Sequence, residues 1–294
     1  MPKIQHDKLF KDLLQLFFED FLKVFFPDIH KKLDFSNFGP QNFLSTEHTL
    51  DHGKKKKVVM DLVARVSEKG RHDYVIVFIE NQSYREKDFA ERVFSYFAAV
   101  YLKHRRPVVP IVIFTDERKW ELTKEITDFS IGFGPYKFLN FHYLSVKLKN
   151  LDFRKYLRMP NPVAVALAAK MGYVKTELPK LKIDIFRTLV KMRLPENELE
   201  TLAQFVDTYT DIEKSEENKQ EITKLLETDD NKEVKMLLTM WEKRGIKKGR
   251  EEGREEGKIQ DAQKMIEKNM TNDDIRDITG LSIKKILELR KKNK

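Results

Sequence analysis

The chain has 294 residues, 40% apolar and 35% charged, with 56 Lys and Arg against 47 Asp and Glu for a formal charge of +9. That apolar content excludes a disordered chain, and the absence of cysteine excludes disulfides, cysteine zinc sites and a thiol nucleophile. No run of about 18 apolar residues is present, so no membrane span is expected. The opening MPKIQHDKLF is charged and lacks an apolar segment, so a cytoplasmic setting is expected rather than secretion. The positive surplus permits a polyanionic partner without requiring one.

Taken in chain order, Ile4 to Phe26 predicts a single helix. Leu9, Leu13, Leu16, Phe17, Phe21 and Leu22 recur at three-to-four spacing, and Pro27 ends the run. Residues 28–57 read as loop, closing on Lys54, Lys55, Lys56 and Lys57. Val58–Val66 and Tyr74–Gln82 read as strands joined by the polar, glycine-containing Ser67–Asp73, an antiparallel hairpin. Glu86–His104 is patterned as a helix. Val108–Phe114 follows as a strand covered on both faces, with Pro110 as its anomaly. Gly132-Phe133-Gly134-Pro135 reads as a turn, and Phe138–Val146 as a fourth strand.

Beyond Met159-Pro160-Asn161-Pro162 the pattern is helical, over 162–172, 178–193, 196–210, 214–227 and 231–268 with a short pair at 271–279 and 282–291. The expected architecture is α/β, a mixed sheet flanked by helices, followed by an all-helical region. The expected divisions are 1–150, 160–240 and 241–294.

Charge inside a hydrophobic strand is expensive unless satisfied. Tyr74, Ile76, Phe78, Glu80 and Gln82 share one strand face, and Val59, Asp61, Val63 and Arg65 share another. If the hairpin turns between Gly70 and Arg71, paired residue numbers sum to 141 and Asp61 lies opposite Glu80, with Cβ atoms about 5 Å apart. A one-residue slip would separate them onto opposite faces. Two adjacent carboxylates need a proton or cation between them. A hard divalent ion such as Mg²⁺ suits that need, and Gln82 on the same face is placed to orient a water.

Asp61, then Glu80-Asn81-Gln82 in paired strands followed by a helix, resembles the PD-(D/E)XK nuclease superfamily in a glutamine variant. His6–Lys11, Met60–Val66, Glu80–Ser83 and Glu91-Arg92 with Tyr96 resemble, more narrowly, the recombination-promoting nuclease (Rpn) and transposase family, over about residues 4–146. The resemblance implies a restriction-endonuclease-like fold and metal-dependent hydrolysis of DNA phosphodiesters. It implies Asp61 and Glu80 as ligands of Mg²⁺, or of another divalent cation such as Mn²⁺ or Ca²⁺. Gln82 stands where the superfamily usually has lysine. Asp7 with Lys11, and Arg92 with Tyr96, take supporting roles.

Each residue also has a plainer reading. Asp61 and Glu80 would make ordinary salt bridges with Arg65 or Arg92. Gln82 would face solvent at a strand end, Arg92 and Tyr96 would line the polar edge of a helix, and Asp7 and Lys11 would be surface charges. His48 and His52 have no helix to make them a metal pair. Lys54–Lys57 would either grip phosphate or line a solvated loop.

In the tail, Gly245, Gly249, Gly253 and Gly257 recur every fourth residue, which suits close helix approach in a homodimer or a flexible charged connector. Asn272–Leu287 resembles a helix-turn-helix around Thr279-Gly280-Leu281-Ser282. Two such helices cannot bury a core alone and must dock or dimerise. The functional expectation is a DNA endonuclease connected with recombination or transposition. The alternative is a catalytically weak DNA-binding or assembly protein that keeps the fold, and RNA stays open as a substrate.

Overall fold

The computed structural model describes residues 3–51, 55–210, 215–227, 234, 253–254 and 256–292. The chain forms two compact units, 1–234 and 235–294.

The first unit opens with α1 (Lys3–Leu16) and α2 (Phe18–Phe25) rather than one helix. Phe17 leaves helical geometry at φ −117 and ψ 37. The ladder nevertheless runs through, with Phe17 N–H donating to Leu13 O and Phe21 N–H to Phe17 O. Phe17 and Phe18 are both buried across this kink. After α3 (Pro27–His30) and β1 (Leu33–Asp34), the segment expected to be loop forms a ribbon. In it β2 (Glu47–Asp51) pairs antiparallel with β3 (Lys55–Val59). Lysine is a poor strand former, so Lys55–Lys57 hid this strand, and cross-strand pairing overrides that preference.

The expected strand Val58–Val66 is therefore two. β3 ends at Val59 and β4 (Leu62–Glu68) begins after Met60 and Asp61. β4 pairs antiparallel with β5 (Tyr74–Gln82) in the expected register, Leu62 opposite Ile79 and Val63 opposite Phe78. Gly70 at φ +73 supplies the left-handed turn between them. α4 (Phe89–His104) starts three residues later than its pattern suggested, after Asp88 at φ 62. It crosses to β6 (Val108–Phe114), parallel to β5.

Pro110 fits because of the ladder's alternation. Ile76 N–H bonds to Pro107 O and Thr115 N–H to Gln82 O, so odd-numbered residues of β6 address β5. Pro110 faces the other way, where the next strand begins only opposite Ile111.

After α5 (Lys124–Thr127), β7 (Asp128–Phe133) and β8 (Tyr136–His142) form a second ribbon around Gly134 at φ +58. β9 (Leu144–Lys147) then joins β6 in parallel. The expected strand 138–146 is thus divided at Tyr143, which is buried and donates its hydroxyl to Ile126 O at 2.5 Å. The main sheet has the order β1-β4-β5-β6-β9. On one face Val63, Ile76, Phe78 and Val112 pack against Phe89, Val93, Tyr96 and Val100 of α4.

The Met159–Pro162 punctuation marks a change of pattern inside this unit, which continues through Val234. α6 (Phe153–Leu157) is followed by α7 (Pro162–Leu167), every residue of which beyond Pro162 is buried. Asn161 caps α7 by accepting from Ala164 N–H at 3.0 Å, and its amide donates to Asp20 Oδ1 of α2 at 3.0 Å. α8 (Leu178–Lys191), α9 (Glu196–Tyr209) and α10 (Glu216–Leu226) complete the helical layer. Phe10 of α1 sits edge-on to Phe205 at 4.9 Å and Tyr209 at 5.6 Å, so α9 is the backing of α1.

In the second unit a helix over 256–267, α11, packs with α12 (Asn272–Thr279) and α13 (Ile283–Lys292). The shared core is Ala262, Ile266, Ile275, Leu281, Ile286 and Leu289. A third helix of the same chain therefore supplies the docking surface that the terminal pair lacked. Gly253 and Gly257 are helical, and a Cβ at either would meet nothing within 4 Å. Gly245 and Gly249 lie outside the described residues, as does most of the expected helix 231–268. Among the described residues no helix is long and apolar enough to cross a membrane.

Phe205→Ala removes the ring behind Phe10 in a site that is wholly buried. It is expected to destabilise the unit by about 3–5 kcal/mol. A thermal melt by circular dichroism reads this, and an unchanged melting temperature would show that α1 does not depend on α9.

Candidate active site

Asp61 occupies the break between β3 and β4, outside the ladder. Its backbone and side chain are therefore free to cross-link to β5. Asp61 Oδ2 accepts the Asn81 N–H at 2.7 Å, and the Asp61 N–H donates to Glu80 Oε2 at 3.4 Å. These two bonds set the carboxylates side by side. The expected opposition of Asp61 and Glu80 is present, but a strand interruption, not strand pairing, delivers it.

Glu80 and Gln82 extend the Ile76–Phe78 face towards α4, and both are buried, at 7% and 3% exposure. Burial raises the pKa of Asp61, opposed by the bond from Asn81, and the nearby charges of Asp7 and Lys11 act on it in opposite directions. Burial pushes Glu80 up to about 8, with Asp61 adding repulsion and Arg92 opposing it. The helical pair Asp7 and Lys11 on α1 is thus within electrostatic reach of the acid pair. Burial and mutual repulsion together favour keeping a proton on the pair.

Arg92, one turn into α4, binds three of the groups around it. Its guanidinium donates to Gln82 Oε1 at 2.8 Å and to Glu86 Oε2 at 2.8 Å, and lies 3.9 Å from Glu80 Oε1. It rests over the Phe89 ring at 4.7 Å and nears that of Tyr96 at 6.0 Å. Gln82 Nε2 donates to Tyr84 O at 2.8 Å. A guanidinium only donates and a carbonyl only accepts, so the Gln82 amide has one admissible orientation. Gln82 therefore does not face solvent; it is clamped at both ends. Burial raises the pKa of the Tyr96 hydroxyl, with Glu80 adding to the shift and Arg92 opposing it.

Other residues are placed differently from their sequence reading. Arg65 is exposed, with its guanidinium 5.4 Å from the Tyr74 ring centroid, in place of neutralising the acid pair. Lys55–Lys57 open β3 and His48 lies in β2, while Lys54 and His52 fall outside the described residues. Two contributors had no sequence signal. Glu86 sits in the turn before α4 and holds Arg92. Thr115 donates its hydroxyl to Asn81 Oδ1 at 2.8 Å, tying β6 to the end of β5 from the opposite face. Only the fold brings either one in.

Among the described residues no group of three or more His, Asp or Glu converges on one point. The donor set is the Asp61–Glu80 pair, hard oxygens that repel each other, with Glu80 buried and Asp61 half-buried. Such a pair suits an ion that keeps waters and phosphate oxygens in its remaining positions.

The raised pKa of Glu80 has a signed consequence. Its native value near 8 lies above its ordinary 4.5, so between those values the native state keeps a proton that the unfolded chain has released. This contribution is fully present below the lower value and is lost as pH rises through the upper one. Glu80→Gln removes the dependence. In EDTA its melting temperature should gain on wild type from about pH 5 to about pH 8, by at least ~2–4 °C, the shift about 1 kcal/mol produces at this size. A difference independent of pH would show that Glu80 titrates normally.

The family model described as "Putative transposase, YhgA-like" matches residues 4–157, from α1 through α6. That span carries Asp7, Lys11, Asp61, Glu80, Gln82, Arg92 and Tyr96. No curated protein and no solved structure matches the chain. With more than half of its length matched, the chain belongs to the YhgA-like putative transposase family.

Proposed function

We propose that this protein is a metal-dependent DNA endonuclease of the PD-(D/E)XK type, hydrolysing phosphodiesters in recombination or transposase-like reactions. The observation that carries the reading is half-buried Asp61 beside buried Glu80, cross-linked through backbone bonds and flanked by the Gln82–Arg92 clamp. Asp61 and Glu80 would hold Mg²⁺ or Mn²⁺, an ion that polarises a phosphoryl group and lowers the pKa of its water when bound.

The chain's own groups supply the rest. Gln82 Oε1 has a second lone pair beside the one given to Arg92, and it orients the attacking water. Arg92 places the positive charge that a neutral amide lacks, held by Glu86 and the Phe89 ring. Tyr96 closes the apolar side. Asp7 and Lys11 balance charge at Asp61.

Nicking of supercoiled plasmid with and without Mg²⁺ tests this, using wild type and Asp61→Ala. Metal-dependent nicking lost in the variant is the expected result, and equal nicking by both proteins would refute the role of Asp61. A second reading rests on Gln82, a neutral residue engaged at both ends: a catalytically weak protein that binds DNA and keeps the fold. DNA binding without metal-dependent cleavage would favour it.

The clamp makes its own prediction. Lysine at position 82 would set an ammonium against the Arg92 guanidinium, now 2.8 Å from Gln82 Oε1, in a nearly dry pocket. Gln82→Lys should lower the melting temperature, and adding Arg92→Gln should restore part of the loss. Strictly additive effects in this double-mutant cycle would deny the coupling.

A further inference from the structure

Among the described residues, the second unit braces one helix whose outer residues are exposed. Thr271 caps α12 by accepting from Asp274 N–H at 3.2 Å. Gly280 ends that helix in the left-handed region at φ +69, its N–H donating to Arg276 O at 2.8 Å. Leu281 drops into the core, and Ser282 Oγ accepts from Lys285 N–H at 3.3 Å to start α13. Near the far end of α13, Arg290 donates to Asn272 Oδ1 at 2.7 Å and to Met270 O, bracing α13 across the start of α12. Ile286 and Leu289 point into the core, while Lys284, Lys285, Leu287 and Glu288 are exposed.

Charge is segregated between the two helices. α12 carries Asp273, Asp274 and Asp277 against Arg276, which pairs with Asp273 at 2.9 Å and Asp277 at 3.0 Å. α13 carries Lys284, Lys285, Arg290, Lys291 and Lys292 against Glu288 alone. Among the described residues neither Lys284 nor Lys285 has an acidic partner.

We propose that α13 binds duplex DNA, its outer face entering the major groove. A helix fits that groove, about 12 Å wide. In a helix-turn-helix the first turns of the second helix reach the base edges. Lys284 and Lys285 lie on those first turns, for phosphate or guanine, and Leu287 is placed for a thymine methyl. The same surplus of positive charge opposes a second copy of this face across a twofold axis, so DNA is the better occupant. The proposal is independent of the nuclease reading, because it needs neither metal nor cleavage.

The test is fluorescence anisotropy of the full chain in EDTA with a duplex of about 25 base pairs, across a salt series. Lys284→Glu with Lys285→Glu should weaken binding at least about tenfold and flatten the log–log salt slope by about 2. The milder Lys284→Gln with Lys285→Gln should weaken it less, and thermal melts should match wild type. Duplex RNA, whose major groove is deep and narrow, should bind more weakly than DNA. The proposal is overturned by unchanged affinity in both double variants or by equal affinity for duplex RNA. It is also overturned if sedimentation shows that the Glu variant loses self-association while keeping wild-type DNA affinity.

Discussion

Two adjacent carboxyl groups, one buried and one half-buried, are the constraint around which the first unit is arranged. An ionised carboxylate without compensation costs several kcal/mol to bury. Asp61 and Glu80 share that problem and aggravate it for each other. The chain answers with backbone donors from the facing strand, with Arg92 at the edge of the pair and with a retained proton on the pair. The result is a pair of carboxyl groups held side by side by backbone donors, with a guanidinium at its edge.

The supports of that site reach well beyond it. Arg92 is fixed by Glu86 and the Phe89 ring, and it in turn fixes the Gln82 amide. Asp7 and Lys11, which act electrostatically on Asp61, lie on α1, which is backed by Phe205 and Tyr209 of α9. The helical layer after residue 160 is therefore part of the scaffold of the site and not an appendage. Asn161 shows the same economy: one side chain caps α7 and ties it to α2.

The second unit follows a different logic. It is small, and three short helices share six core residues. Caps and braces from Thr271, Gly280, Ser282 and Arg290 fix how its helices pack on one another. Among the described residues Lys284 and Lys285 of α13 have no acidic partner, whereas Asp61, Glu80, Gln82 and Arg92 are all held by hydrogen bonds or ion pairs.

Much of this was legible in the residues alone. Hydrophobic periodicity located the hairpin, the helix after it and the parallel strand, because buried faces impose a period of two or 3.6 wherever they occur. A turn centred at Gly70 and Arg71 predicted the β4–β5 register, whereas the approach of Asp61 to Glu80 came from the break before β4. The tertiary structure decided what periodicity does not encode. It broke the strand at Met60–Asp61, so that Asp61 could spend its hydrogen bonds on β5, and it paired Lys55–Lys57 into a ribbon against their propensity. It divided the last strand at Tyr143, turned Arg65 onto Tyr74, left Glu86 in the turn before the helix its pattern had included it in, and brought Thr115 to the site from just beyond β6. The candidate site residues are written in local sequence. Their final distances depend on long-range packing, which a local pattern constrains only through the faces it buries.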